Sequence, residues 1–427
     1  MPGSRRVLVS VVATCALVLS GRGVARAQGT AGDCQPYTLQ GTVFECAAEG
    51  SPLSQLRTGT FIAGSEAAGE TLARAIALEV ATAPFGSSSG GFTFTFDPST
   101  RSFSRRAGTF GPAFSERAVT IGKGKLSGGF NFLYRSYDRM DSLALGGFDV
   151  FRFQGGTLPV TSSRFELETH TNTLAGFADY GVLDNLDVGV LVPYVRISVN
   201  GVSRIYGQSN DELQRVLLNA SATGLGDVAI FGKYRFWTLE PVSSASEEVP
   251  GGLAAGVTVR VPTGNADNLV GLGVTRTLFS LIGSATMGRV SPHVNVGYEA
   301  WSGGVAIPKD FQGLSTITAR DQAQYSGGLE YEVHPQLSLM VDVLGRYLRG
   351  AGRVGYQPFA FPQNFANVSG AEALVAVPSG ANTVLLAPGA KWNIFKSALL
   401  TMNVLVSVTD TGLRTRVTPV VGIDWGF

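Results

Sequence analysis

Apolar and polar residues alternate with a period of two through most of this chain, and the last segment is the plainest case. Val417, Pro419, Val421, Ile423, Trp425 and Phe427 fall on every second position, with Thr418, Val420, Gly422, Asp424 and Gly426 between them. A β-strand sends alternate side chains to opposite faces, so this pattern predicts a strand with one apolar, aromatic-tipped face and one small or polar face. A soluble sandwich can use the same alternation, but closure on an aromatic-ended strand is the habit of bacterial outer-membrane barrels. Trp425 and Phe427 are then expected at the membrane interface, and the strand is the one that barrel assembly machinery would engage.

The same period recurs upstream, and each phase assigns a face. Phe130, Phe132 and Tyr134 share one. Phe165, Leu167 and Thr169 oppose Arg164, Glu166, Glu168 and His170, while Val188, Val190, Val192 and Tyr194 face away from Asp187. Val228, Ile230, Tyr234 and Phe236 oppose Asp227, Lys233 and Arg235, and Val257, Val259 and Val261 oppose Thr258 and Arg260. Val290, Pro292, Val294, Val296 and Tyr298 alternate with Ser291, His293, Asn295 and Glu299. Leu329, Tyr331 and Val333 stand against Glu330 and Glu332, and Leu337, Leu339, Val341 and Val343 against Ser338 and Asp342. The final three strands are expected to begin near Asn382, Ala398 and Arg414.

Connections between these segments are short at 181–185, 288–289, 334–335 and 394–397, and long at 201–225, 264–274, 302–319 and 349–381; a short external turn at 410–413 and a longer periplasmic one at 239–250 are exceptions that leave the order intact. Such alternation is that of a barrel with short periplasmic turns and long external loops. The count is 12 strands from Leu126, or 14 if residues near Phe114 to Lys123 join the wall. The expected fold is all-β: a transmembrane antiparallel β-barrel of 12–14 strands with an N-terminal plug or periplasmic segment.

Ahead of the wall the character differs. Arg5 and Arg6, an apolar run from Val7 to Leu19 and Ala25-Arg26-Ala27 read as a signal peptide over 1–27, too short to span a membrane. Residues 28–91 form the plug or periplasmic segment, with a helix predicted over Ser65–Ala83 from Leu72, Ile76 and Val80 at helical spacing and Pro84 as its stop. Residues 92–125 supply a hairpin around Asp97-Pro98 and the lead-in, and 126–427 the barrel. Beyond residue 27 no run of 18 apolar residues occurs, so any membrane crossing would use a closed barrel.

Composition adds three points. Loss of four arginines with the leader takes the formal charge from +1 to −3, a near balance that argues against nucleic acid as a partner. Cys34 and Cys46 remain, close together in an oxidising compartment, where a local disulfide is expected and a metal pair is the alternative. Low charge with 25 phenylalanines suits strands that turn apolar side chains toward lipid.

The stretches FADYGVLDNLDVGVLVP (Phe177 to Pro193), GLGDVAIFGKYRFW (Gly224 to Trp237), VRVPTGNADNLVGLG (Val259 to Gly273) and GRVSPHVNVGYE (Gly288 to Glu299) make the sequence resemble the outer-membrane proteins of the meta-pathway of phenol degradation family. The resemblance covers about the central half of the mature chain. It implies a barrel related in architecture to the long-chain fatty acid transporters, with a plug ahead of the wall and hydrophobic compounds as cargo. It implies no catalytic motif and identifies no particular substrate.

Phase assigns Arg164, Glu166, Glu168, His170, Lys233, Arg235, Arg260, His293, Glu299, Glu330, Glu332, Asp342 and Arg346 to the lumen. Mixed charges there either pair to hold the interior together or form a constriction that selects permeants. Tyr356, Phe359, Phe361 and Phe365 in the longest external loop would gather apolar solutes, or fold inward and bury themselves.

Other motifs fail on context. Gly86-Ser87-Ser88-Ser89-Gly90 matches a nucleophile elbow in letters, but a proline precedes it and a β run follows, so it reads as a linker. His170, His293 and His334 have no Ser/His/Asp spacing, and no metal or cofactor site is expected. Gly122-Lys123-Gly124-Lys125 lacks a phosphate-loop frame and reads as a tight turn or strand start. Asn265, Asp267 and Asn268 are calcium-ligand types that more often cap turns. The expected protein is a monomeric, non-enzymatic channel of a Gram-negative outer membrane. Its partners would be membrane lipid and a small hydrophobic or aromatic solute taken up passively; the alternative is a structural or surface-adhesive barrel without transport.

Overall fold

The computed structural model describes residues 59–84, 86, 94–97, 102–105, 109–154, 162–206, 209–239, 251–310, 314–351, 353–358, 370–395 and 398–426. The expectations for the leader, for Cys34 and Cys46, for Ser87 to Gly90, for Phe359, Phe361 and Phe365 and for Phe427 lie outside the described residues.

Twelve strands form the wall: β1 Leu126–Tyr137, β2 Ser162–Leu183, β3 Leu186–Tyr206, β4 Val228–Thr238, β5 Gly251–Val261, β6 Arg276–Ala285, β7 Val290–Trp301, β8 Gln322–His334, β9 Leu337–Leu348, β10 Ala381–Phe395, β11 Ala398–Ser407 and β12 Val417–Gly426. Each pairs antiparallel with its neighbours in sequence, and β12 returns to β1 through Val420↔Leu133 to Gly426↔Ser127, which closes the ring. Closure leaves every wall strand with a partner on both sides, the condition for placing a sheet in lipid. Phe114 to Lys123 do not enter this wall, so the count is 12 rather than 14.

The outward face is apolar. Phe130, Ile230, Phe279, Val294, Leu329 and Val421 are all exposed, Val294 at 56%. Tyrosines 134, 194, 298 and 347 ring the end that carries the long connections, and Tyr180, Trp237, Tyr331 and Trp392 ring the opposite end. An apolar belt between two aromatic girdles is a lipid-facing surface. Trp425 belongs to the second girdle and packs edge-on against Phe130, with ring centroids 6.3 Å apart.

β2 and β3 are twice the length of most other wall strands, and their far halves rise beyond the barrel. There β3 pairs with Glu212–Leu225, and β2 with Phe148–Gln154, which continues to Gly370–Val377 and Arg353–Pro358. On this upper part of β2 the hydropathy inverts. Leu174 and Tyr180 point outward in the lipid band, but above it Leu167 and Phe165 turn inward onto a core shared with Phe148, Val195 and Ile197. Arg164, Glu166, Glu168 and His170 therefore lie on the outer face, which corrects their assignment to the lumen. A strand that leaves lipid for water exchanges which face must be apolar, without any change of period.

The helix, α1 Gly59–Ala81, is longer at its start than the expected Ser65–Ala83 and ends three residues before Pro84. Leu72, Ile76 and Val80 are buried as the spacing requires, and so are Ala68 in the same row and Ala73 and Ala77 beside it. The helix lies at the long-loop mouth, packed against Val305–Pro308 and Gly370–Val377, not at the opposite, short-turn end. Small alanines let these walls approach it from several sides.

Candidate functional site in the barrel lumen

Eight wall strands fill their own interior with side chains; twelve leave room for more. At the short-turn end residues 109–121 occupy part of it as an arch. The arch climbs from Thr109, whose hydroxyl donates to Ser291 Oγ at 2.9 Å, to Ser115, bonded to Ser326 Oγ at 3.0 Å, and descends to Ile121, whose N–H donates to Asp187. Wall carboxylates hold its backbone: Gly111 N donates to Glu330 Oε2 at 2.8 Å and Phe114 N to Asp342 Oδ2 at 3.2 Å. Asn295 grips Glu116 on both sides, accepting from its N–H at 2.7 Å and donating to its carbonyl at 2.9 Å. Lys391 donates to the carbonyls of Pro112 at 2.9 Å and Phe110 at 3.4 Å.

His293 sits between the two acids that pin the arch, with Nε2 2.6 Å from Asp342 Oδ1 and Nδ1 3.8 Å from Glu330 Oε1. Lys233 Nζ lies 3.8 Å from both Glu116 on the arch and Asp187 on the wall. Where the arch rejoins β1, Gly122 and Gly124 adopt positive φ, which makes Gly122 to Lys125 a tight turn. Gly181 opposite must be glycine, because a Cβ there would lie 1.9 Å from the Gly122 carbonyl oxygen.

At the long-loop end a second buried cluster closes around Glu299, which has no exposure. It accepts from Trp301 Nε1 and Gln322 Nε2, each at 2.9 Å, and faces Arg260 and Arg276, each at 3.6 Å. Arg276 also donates to Asp227 at 3.3 Å and to the Ala81 carbonyl at 3.0 Å. That last bond caps the C-terminal turn of α1, where a cation is favoured by the free carbonyls and the dipole. Arg346 holds Glu79 two residues earlier.

Between arch and helix lies a cavity of about 230 Å³. A row of directly opposed wall residues, Lys233, Gly256, Ser280, Gly297, Gln324 and Arg346, runs across it. Gly256, Ser280 and Gly297 keep its centre shallow, with a cation at each end. Phe231, Leu278, Ile282, Leu344 and Leu385 give it apolar patches.

Of the residues that phase assigned to the lumen, Lys233, Arg235, Arg260, His293, Glu299, Glu330, Glu332, Asp342 and Arg346 face inward. Lys233, Arg260, His293, Glu299, Glu330, Asp342 and Arg346 divide between the arch, the cavity and the Glu299 cluster. Arg235 turns toward the short-turn end, donating to the Asp184 carbonyl at 3.2 Å. Of the misassigned four, Glu166 pairs with Arg204 at 2.7 Å and His170 stacks on Tyr134. Tyr356 is half-buried beneath the Arg152 guanidinium, 3.4 Å from the ring centre, so that ring face is taken. Burial pushes the Tyr356 hydroxyl above the ordinary tyrosine pKa, with Arg152 opposing the shift.

Asn265 caps a turn by accepting from Asn268 N at 2.8 Å. His334 accepts from Gln336 N, far from the other two histidines. Sequence reasoning missed Arg276, Lys391 and Asp424 on the wall, and Glu79, Glu116 and Arg117 ahead of it. Lys391 was within reach, since Trp392 beside it sets the phase. For Glu79 and Glu116 no periodicity places a helix or an arch inside a ring.

A family model described as "Putative MetA-pathway of phenol degradation" matches residues 148–345, somewhat under half of the chain. Among curated proteins no sequence matches it. Among solved structures, the chain is similar to an outer membrane channel from Pseudomonas putida F1 at 14% identity and a TM-score of 0.43, covering 73% of this chain and 98% of that one. It is also similar to a Pseudomonas aeruginosa FadL homologue, at 10% identity and a TM-score of 0.32, covering 71% and 90%. A TodX monoaromatic hydrocarbon channel gives 10% identity and a TM-score of 0.33, covering 81% and 97%. These likenesses are loose, and the barrel is established by the strand pairing itself.

Proposed function

We propose that this protein is a passive channel of a Gram-negative outer membrane for small hydrophobic or aromatic compounds. The observation that carries the reading is the cavity of about 230 Å³ in the lumen, between two obstructions supplied by the chain's own N-terminal region. A dry cavity of about 150 Å³ is enough for benzene, so this one accommodates a single-ring solute together with a few waters. Its lining has the composition of a small-molecule site, with apolar patches and a few polar groups that orient. The phenol-degradation description of the matched family accords with an aromatic cargo. Transport would be diffusional.

The second reading is a structural barrel without transport, and the density of buried bonds that pin arch and helix favours it. Flux decides between them. Full-length protein in lipopolysaccharide-containing proteoliposomes should admit a neutral single-ring solute such as benzamide faster than protein-free vesicles and faster than a disaccharide. Equal rates with and without protein would reject the channel and leave the structural barrel.

A further inference from the structure

Two cavities are stacked along the lumen, and they meet at Glu79, Arg346 and Thr383. The central cavity extends up to Glu79, Arg346 and Thr383. A second space of about 40 Å³ lies on the long-loop side of the same three residues, beside α1, and is lined mainly by apolar side chains that include Leu78, Met140, Ile307 and Leu348. What separates the two is the ion pair in which Arg346 Nη2 donates to Glu79 Oε2. Each side chain retains 15% exposure, and Arg346 Nη1 has no hydrogen-bond partner among the described residues.

Among the described residues, the two charged groups of the partition are joined by a single bond between the helix and the wall, made by one nitrogen of a long side chain, with Thr383 beside them. Arg276 holds the helix end beside it through the Ala81 carbonyl at 3.0 Å, so Glu79 and Arg346 can part by rotamer changes while α1 keeps its seat.

We propose that the Glu79–Arg346 pair is the selectivity gate between the long-loop mouth and the central cavity, and that it passes small, neutral, mainly apolar solutes; the proposal rests on the channel reading. The outer space has room for about one water, so nothing larger passes while the pair is closed. Asp141 and Arg353 are the other charged residues on this lining, and both Asp141 oxygens already accept, from the Val354 and Gly412 N–H groups; most of the remaining lining is apolar, so an ion gives up hydration at a cost that a neutral apolar solute largely escapes. An anion that did arrive would be held by Arg346, and a cation by Glu79.

The test compares flux of benzamide and benzoate through the full-length protein in lipopolysaccharide-containing proteoliposomes, corrected for protein-free vesicles. Wild type should favour benzamide. Arg346→Met and Glu79→Gln should each raise flux at least threefold and narrow the preference for the neutral solute, and the exchanged pair Glu79→Arg with Arg346→Glu should return toward wild type. Arg204→Gln, on the outer face above the lipid, should change nothing. Heat-modifiable gel mobility verifies that each variant is a folded barrel. If wild type carries benzamide and both single variants match it within twofold, the gate is overturned and the channel stands. No flux through wild type or any folded variant overturns both, whereas flux that appears only in the variants supports both.

Discussion

Arg276→Met removes the buried cation that joins the C-terminal end of α1 to the wall. The side chain is 1% exposed and donates to the Ala81 carbonyl at 3.0 Å and to Asp227 at 3.3 Å, with Glu299 at 3.6 Å. Methionine preserves much of the volume, so the loss is electrostatic rather than a cavity. Breaking a buried ion pair by deleting one partner costs about 3–5 kcal/mol. Glu299 keeps Trp301, Gln322 and Arg260, and Asp227 keeps the Gly264 N–H at 3.2 Å, which points to the lower end. A loss of about 3 kcal/mol lowers the folding equilibrium constant roughly 150-fold. Glu299→Gln, which retains acceptor capacity, should cost about 1 kcal/mol. The double variant should be less destabilised than the sum of the two by about 1 kcal/mol or more, because the Arg276–Glu299 interaction that each single variant loses is lost only once in the double.

Reversible urea unfolding in lipid vesicles supplies the free energies. Hydrogen exchange supplies the location: amides of α1 around 72–81 should exchange faster in Arg276→Met than amides of β4 to β7. A change under about 0.5 kcal/mol, strict additivity, or exchange that rises equally in wall and helix would refute the view that this cluster anchors the helix.

Three further outcomes are expected. Lys391→Met should free the Phe110 and Pro112 carbonyls and strand Asp424, whose carboxylate lies 4.0 Å from the Lys391 ammonium, costing about 2–3 kcal/mol and raising single-channel conductance as the arch loosens; an unchanged conductance in a folded barrel would remove the arch from the path. Ser280→Leu projects into the central cavity, and benzamide flux should fall at least fivefold with stability within about 1 kcal/mol of wild type; undiminished flux would mean that solutes bypass this space. Val294→Arg, on the lipid face, should cost about 2–4 kcal/mol, and Leu167→Ala about 2–5 kcal/mol as a core truncation, while Glu168→Leu above the lipid stays within about 0.5 kcal/mol; unfolding titrations that rank Glu168→Leu beside the other two would reinstate a lumen position for Glu168.

Much of the wall was legible because two faces in different media leave a period-two record. Ser291, His293, Asn295 and Glu299 against Val294, Val296 and Tyr298 specify a face with no knowledge of the partner strand, and the alternation of long and short connections supplies the count. Reading failed where the medium changes along one strand. Phe165 and Leu167 are as apolar as Leu174 and Tyr180, but they meet a protein core above the bilayer, and a strand's pattern carries its period without stating which medium lies on which side.

The sequence by itself determined a β-barrel of 12–14 strands, the face of most wall residues and the presence of a helix ending before Pro84, because these depend on local periodicity and on turn chemistry. Tertiary structure alone decided what occupies the ring. Arg276 meets Ala81 across 195 positions and Gly111 meets Glu330 across 219, separations at which no local pattern operates. The arch, the helix at the long-loop mouth and the gap between them exist because a twelve-strand ring is wider than its own side chains can fill, and which segment fills it is settled by the buried donors and acceptors that must find partners inside.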